Sequence, residues 1–336
     1  MRIKKFAILS LIVSLTSPLL ADTFQGLGYA NQNHSNPSST AYDISADGKN
    51  VIGISNSFAC IWTAKKGWIP LGKINNKATH SLAKAISNDG KIVVGVEFVS
   101  NSERMAFAWT AKKGMQPLGA PTGRKTSNAM GIAGNGKTIV GITDTSRSQR
   151  GFIYNQHGMN ELPKECYFPT AVSFDGKVIA SNQYIYSNNK LFNIGSLPGG
   201  SDGTTARGIS DDGSTVVGSS STDKGGEAFI WTKQTGMKPL GSIPGTGNHS
   251  NTWSVNQDGT VVVGWAGIKE KTTAFIWTKS LGMKELKPYL MDRGLSDQLK
   301  NWRLTRATGI TPNGKTIVGV GVNPKSQIEA FIVTLD

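Results

Sequence analysis

Apolar and polar positions alternate with a period of two in short runs along almost the whole chain. A glycine-containing turn ends nearly every run. The clearest landmark is Asp-Gly or Asn-Gly followed by a β-branched run: Asp47-Gly48, Asp89-Gly90, Asn135-Gly136, Asp175-Gly176, Asp212-Gly213, Asp258-Gly259 and Asn313-Gly314. The seven glycines lie 42, 46, 40, 37, 46 and 55 residues apart. Before each turn comes a short run, strand a: AKAIS (83–87), ARGIS (206–210), ATGIT (307–311). After it comes strand b: KIVVG (91–95), STVVG (214–218), KTIVG (315–319). An Asp-Gly pair between two β-rich runs signals a hairpin, because both central residues must accept positive φ. Strand c follows as AFAWT (106–110) or AFIWT (228–232 and 274–278), and strand d as GMQPLG (114–119) or GMKPLG (236–241).

Tandem units of about 40 residues with four short strands each predict the blades of a propeller. The seventh unit reaches AFIVT (330–334) and stops without a strand d. The missing piece lies at the other end of the chain. FQGLG (24–28) matches the strand d pattern, with Phe24 where Met115 sits and Leu27 where Leu118 sits. The expected fold is therefore all-β: a single seven-bladed propeller over 22–336, its ring closed by the N-terminal strand pairing into the C-terminal blade. Closure leaves no open seam in the ring. The one long insertion is ELKPYLMDRGLSDQLKNWRLT (285–305). Leu295, Leu299 and Trp302 are spaced i, i+4, i+7, which predicts a short helix within about 287–303, capped by Ser296.

The repeat also resembles the HAF-repeat extracellular proteins. The matching residues are Glu227-Ala228-Phe229 and Thr273-Ala274-Phe275, each followed by Ile-Trp-Thr, and the Gly-Ile-Ser-x-Asp-Gly run at 208–213. The closing stretch matches too, from Trp302 through ATGITPNGKTIVG (307–319) to EAF (329–331). The resemblance covers nearly all of 24–336, although the histidine that gives the family its name is never His here. It implies a repeat fold and export, and no particular activity.

The first 21 residues read as a signal peptide. Arg2, Lys4 and Lys5 begin it, Phe6 to Leu15 is apolar, Pro18 breaks the run, and Ala21 offers a small residue for cleavage. A ten-residue run is far below the ~20 apolar residues of a membrane span, and no transmembrane segment is expected in the mature chain. That chain keeps 33 Lys and Arg against 22 Asp and Glu, a net charge of +11. A basic exported protein is drawn to anionic surfaces, with the periplasm or the extracellular space as its destination. Nucleic acid is not expected as a partner, because of the export signal. Two cysteines, Cys60 and Cys166, rule out a disulfide framework. They fall in blades nearly opposite in a ring of seven, too far apart to pair.

Candidate chemistry is sparse. His80 and His249 are equivalent, each six residues before the last apolar residue of strand a; Cys166 shares that register, and His34 is offset by four residues. A propeller mouth is too wide for single loop residues to reach the roughly 2.0–2.3 Å of a metal bond, so no metal and no other cofactor is expected. The a strands carry one acid, Asp43. There is no shared pattern of paired carboxylates, no nucleophile elbow and no phosphate-binding loop. One position does vary in an informative way. Two residues before the last apolar residue of strand a stand Tyr42, Lys84, Met130, Thr170, Arg207, Trp253 and Thr308, among small neighbours such as Ala83, Ala85, Ala206 and Gly208. Such residues should ring one mouth of a central channel, where Tyr, Trp, Lys and Arg suit an anionic or sugar-like ligand. The expected binding set is Tyr42, Lys84, Arg207 and Trp253, with His80 and His249. The reading is a monomeric, exported, non-catalytic binding propeller for a glycan, an anionic polymer or a protein. A hydrolase or lyase built from loop carboxylates and a structural envelope protein are the alternatives.

Overall fold

The computed structural model describes residues 21–100, 103–144, 148–200 and 203–336. Residues 1–20 of the expected signal peptide lie outside the described residues. Seven four-stranded antiparallel sheets form a ring, each running a-b-c-d outward from the axis. The protein is a seven-bladed β-propeller. In blade seven the order is Thr23–Gly26, Ile328–Thr334, Thr316–Val322, Arg303–Ile310, so the N-terminal strand is its outermost member. Phe24 pairs with Val333 and Gly26 with Phe331.

The seam is held by more than the ladder. Phe24 packs edge-on to Trp302, with ring centroids 5.1 Å apart, and lies 5.8 Å from Phe331. Leu27 N–H donates to Ala330 O at 2.9 Å, and Gly28 N–H donates to Glu329 Oε1 at 2.8 Å. Ser39 of blade one donates to Gly28 O at 2.7 Å and accepts from Ala330 N–H at 3.0 Å. Asp22 is held by Arg293 at 2.5 and 3.1 Å and by the Asp336 N–H at 2.8 Å. The Arg293 bond holds the Asp22 carboxyl below its ordinary pKa.

Inside each blade, two residue choices lock together. The last residue of the strand b motif is glycine in six blades, and five of these pair directly with a fully buried strand c phenylalanine: Gly95 with Phe107, Gly141 with Phe152, Gly218 with Phe229, Gly264 with Phe275 and Gly319 with Phe331. A Cβ on Gly95 would sit 1.9 Å from the Leu82 carbonyl and 2.9 Å from the Phe107 ring. Glycine is required there by the close approach of strand a, not by an unusual φ. Blade one uses the small Cys60 opposite Gly53, and Cys60 and Cys166 are buried free thiols whose pKa burial pushes up to about 12.

The Ser-x-Asp-Gly turns are self-bracing. Ser45 donates to Asp47 Oδ1 at 2.7 Å, Asp47 Oδ1 accepts the Lys49 N–H at 3.0 Å, and the Ser45 hydroxyl accepts the Asn50 N–H at 3.0 Å. The same scheme recurs at Ser87/Asp89, Ser173/Asp175 and Ser210/Asp212. The turns are joined by a belt of backbone hydrogen bonds around the axis, through one residue each except in blade three, which uses two: Ala46 N–H to Asn88 O, Asn88 to Gly134, Asn135 to Phe174, Phe174 to Asp211, Asp211 to Gln257, and Gln257 to Pro312. The seventh link would need an N–H on Pro312, which proline lacks.

The insertion differs from expectation in placement. The helix begins earlier, at Leu286–Leu290, and runs on as a π-turn over Met291–Leu295, where Gly294 has φ 91°. Ser296 lies in helical geometry at the C-terminal boundary of that turn rather than at the start of a helix. Leu286 and Leu290, N-terminal to the expected stripe, join Leu295 and Leu299 in one cluster with Phe24, Trp302, Val333 and blade-six Ile276. The segment braces the seam between blades six and seven from outside. Phe24→Ala is expected to lower folding stability by about 3–5 kcal/mol, whereas Gln25→Ala, at an exposed position of the same strand, changes it by under about 0.5 kcal/mol. Urea unfolding of the two variants checks this, and deleting residues 22–28 is expected to remove cooperative unfolding of blade seven.

Candidate functional site

Each of the seven a strands carries a β-bulge, and in every blade the extra residue is the variable one. The pairing to strand b slips between Ala41 and Asp43, Ala83 and Ala85, Ala129 and Gly131, Pro169 and Ala171, Ala206 and Gly208, Thr252 and Ser254, and Ala307 and Gly309. A bulged residue leaves the ladder, and its side chain is re-aimed. Here all seven re-aimed side chains line one axial cavity of about 170 Å³. The Ala and Gly neighbours let seven strands crowd together around it.

The bulge also corrects the expected height of this ring. Tyr42 is the fourth residue of Ser39–Ile44, Lys84 the fifth of His80–Ile86 and Thr308 the sixth of Arg303–Ile310. The ring therefore forms the channel wall a few residues above the turn belt, rather than the rim where strand a begins. On the belt side the Phe174 ring and the Asn88 side chain lie against Gly134, and Asn88 neighbours Asp211.

Electrostatically the channel is unbalanced. Lys84 of blade two and Arg207 of blade five face it together, and neither forms an ion pair among the described residues. Burial, followed by repulsion from Arg207 and Arg104, pulls the Lys84 pKa down to about 8. Its Nζ lies 3.6 Å from Met130 Sδ, a poor acceptor. Burial lowers the Arg207 pKa as well. The Arg207 guanidinium stands 5.7 Å from the Trp253 ring centroid, and its Nε is buried without a hydrogen-bond partner. Thr170 and Thr308 spend their hydroxyls on carbonyls of the adjoining blades, Ala206 and Ala41, at 2.7 and 2.9 Å.

Asp43 is the one carboxylate in the cavity lining. It accepts the Ile44 N–H at 2.8 Å and, from the next blade, the Ile86 N–H at 3.0 Å. Full burial pushes its pKa up to about 6 against those two bonds. Sequence reasoning noted this acid but did not place it in the site. Its signal was an acid at a position that is Ala, Gly or Ser in the other six blades: Ala85, Gly131, Ala171, Gly208, Ser254 and Gly309.

Of the expected binding set, the structure brings together Tyr42, Lys84, Arg207 and Trp253, and adds Asp43, Met130, Thr170 and Thr308. His80 and His249 are placed elsewhere. His80 stacks on Phe98, with centroids 4.3 Å apart and planes 11° apart. His249 is exposed beside Gly225. Both sit at or before the start of strand a, one bulge and several residues away from the cavity. Among the described residues no three His, Cys, Asp or Glu side chains are close enough to share a metal ion. No described helix is long and apolar enough to cross a membrane.

Fold and site together define a seven-bladed propeller with a narrow, cation-lined axial channel. No family model matches the chain, and no curated protein matches it in sequence. Solved structures do share its fold. An oligogalacturonate lyase from Vibrio parahaemolyticus superposes with a TM-score of 0.61 at 11% identity, over 94% of this chain and 98% of that one. An oligogalacturonate lyase in complex with manganese gives 0.58 at 12% identity, over 94% and 97% of the two chains. The hydrazine synthase of Kuenenia stuttgartiensis gives 0.51 at 13%, over 90% and 98%. At these identities the likeness is one of fold.

Two cations held in a small cavity with no ion-pair partner, and only the single Asp43 carboxylate in the same lining, oppose folding. Lys84→Met is therefore expected to raise the Tm of the ligand-free protein by about 2–4 °C, equivalent to about 1 kcal/mol. The pH dependence has a definite sign. The folded Lys84 pKa of about 8 lies below its ordinary 10.5, so between those values the unfolded chain holds the extra proton and stability rises with pH. The stabilising effect of Lys84→Met should accordingly be full below pH 8 and shrink above it. Calorimetric scans of both proteins from pH 7 to 10 check this.

Proposed function

We propose that the protein is an exported, non-catalytic binding propeller whose axial channel takes up a small anionic group, a carboxylate or a phosphate, of an envelope or extracellular ligand. The observation that carries this reading is the unpaired pair Lys84 and Arg207, with the buried Arg207 Nε lacking an acceptor. The Asp43 oxygens accept the Ile44 and Ile86 N–H groups, so an oxyanion would supply further charge to offset two desolvated cations, and oxygens for the guanidinium and ammonium N–H groups. The cavity of about 170 Å³ matches the space of about five or six liquid waters at ~30 Å³ each. It fits a headgroup and excludes a folded polymer, so a larger ligand would insert one acidic group and leave the remainder outside. Trp253 beside Arg207 offers a ring face to whatever carries that group. The net basic charge adds long-range attraction to anionic surfaces. Asp43 stands alone as a channel carboxylate, whereas hydrolysis of a glycosidic bond by two acids needs a flanking pair.

The test is calorimetric titration of residues 22–336 with inorganic phosphate, sulfate, glucuronate and a heparin oligosaccharide. At least one anion is expected to bind with Kd below about 1 mM, and Lys84→Met and Arg207→Met should each weaken it about tenfold or more, ~1.4 kcal/mol. Affinity should also fall as pH is raised through about 8, where free Lys84 loses its proton; the charged groups bearing on it are Arg207 and Arg104, with Asp43 and Tyr42 in the same lining. Equal affinity in wild type and both variants would refute the assignment.

A further inference from the structure

A second cavity, of about 440 Å³, lies at the top of blade four, away from the axial channel. Its origin is a local failure of the repeat. Ser181 stands where six other blades have the strand b glycine, and it pairs with Tyr184 where five blades have a buried phenylalanine. A Cβ at the glycine position meets that ring at under 3 Å in blades that keep the pair, for example 2.7 Å from Phe152. Tyr184 is accordingly only half-buried, and it lines the new cavity. The hairpin is also short. Blade four uses Val178–Ser181 and Tyr184–Ser187, four residues each, whereas blade five uses Thr215–Thr222 and Gly225–Thr232, eight each. The four-residue difference, at ~3.3 Å apiece, makes the hairpin about 13 Å shorter than that of blade five. It is shorter than the six- and seven-residue strands of blade three too, which leaves a notch in the upper rim.

The notch is built on a rigid floor. Asn182, 5% exposed and at φ 40°, donates to Glu165 O at 2.9 Å, accepts from the Ser181 hydroxyl at 2.7 Å and accepts the Ala206 N–H on its own carbonyl at 3.0 Å. Around it stand Tyr167, Tyr184, Arg150, Lys164, Glu165 and Gln183. Tyr167 is 45% exposed, an unusual placement for a large ring. Arg150 donates to the Gln149 carbonyl at 3.0 Å and has no carboxylate partner among the described residues.

From this geometry we propose that the blade four notch binds a short oligosaccharide carrying a carboxylate. Two tyrosines present faces for the apolar side of sugar rings. Gln183 and Glu165 serve hydroxyls, and Arg150 is placed to pair with the acid through two parallel N–H bonds. The volume falls in the roughly 300–1,000 Å³ range of small-ligand sites, large enough for more than a single anionic group. Two bases against one acid in the lining favour an acidic over a neutral sugar.

The experiment uses residues 22–336 with sialyllactose and a hyaluronan tetrasaccharide as probes, and lactose and chitotriose as uncharged controls. An acidic probe is expected to bind with Kd below about 1 mM. Tyr167→Ala and Arg150→Met should each weaken it about tenfold without changing Tm, because both side chains reach the surface, whereas Lys84→Met should leave it within twofold. Binding lost in Lys84→Met but retained in Tyr167→Ala would place the sugar in the channel and overturn the notch. Equal binding of the uncharged controls would overturn the acidic assignment, and failure of both acidic probes to bind would overturn the proposal as a whole. Phosphate and sulfate binding is read separately through Lys84→Met and Arg207→Met, so failure at the notch and failure at the channel are distinguished.

Discussion

The pairing of Thr23–Gly26 with Ile328–Thr334 is the interaction on which the rest depends. A ring of seven sheets is rigid only when no gap remains between the first blade and the last. The chain meets this by making its two ends neighbours in one sheet, and it secures the joint with side chains from three places. Phe24 and Trp302 supply apolar contact, Glu329 and Ser39 complete the backbone bonding of Gly28, and Asp22 ties Arg293 and the C-terminal backbone together. The insertion after blade six gains its meaning here. Its leucines fill the wedge beside the joint, which explains why the longest departure from the repeat falls next to the seam.

Closure sets the geometry of everything inside. Seven inner strands must converge on one axis, and they can do so only where side chains are absent or turned aside. The Ala and Gly positions of strand a answer the first need. The bulge answers the second, and it takes up the strand b glycine as its counterpart: the carbonyl two residues before the bulged residue moves into the space a Cβ would occupy. Once that pairing is in place, the bulged side chain points into the channel in every blade. The repeat thus yields seven channel positions of free identity, and this protein has filled two of them with cations. The belt of turn hydrogen bonds fixes the depth at which they stand, and its single missing link falls at Pro312.

Blade four shows the same rule by exception. With serine at the glycine position, the aromatic partner loses its bed, the hairpin shortens, and the upper rim opens. A repeat architecture tolerates this because each blade contacts only its neighbours. Stability is carried by the ring, so one blade is free to depart in shape. The channel thus arises from the variable bulged positions, and the notch from a position pair where regular blades keep glycine and phenylalanine for packing.

Much of this was legible in the residues themselves. Period-two alternation, the Asp-Gly turns and the truncated seventh unit specify four-stranded blades, their number and the closing role of FQGLG, because these depend on local backbone preference and on counting. The variable position in strand a was visible as well, since the mostly Ala and Gly positions on either side made it stand out. What the linear pattern could not show was the bulge. Alternation counts residues and assumes a regular ladder, so one extra residue shifts facing and height without leaving a gap in the count. Only the packed ring turned Tyr42, Lys84, Arg207 and Trp253 inward together, brought Asp43 beside them, and left His80 on Phe98 and His249 at the surface. The helix was misplaced for a related reason: Leu286 and Leu290 are spaced i, i+4 but stand out of register with Leu295, a step that the π-turn over Met291–Leu295 absorbs, and their burial depends on a wedge that exists only after the two chain ends have met.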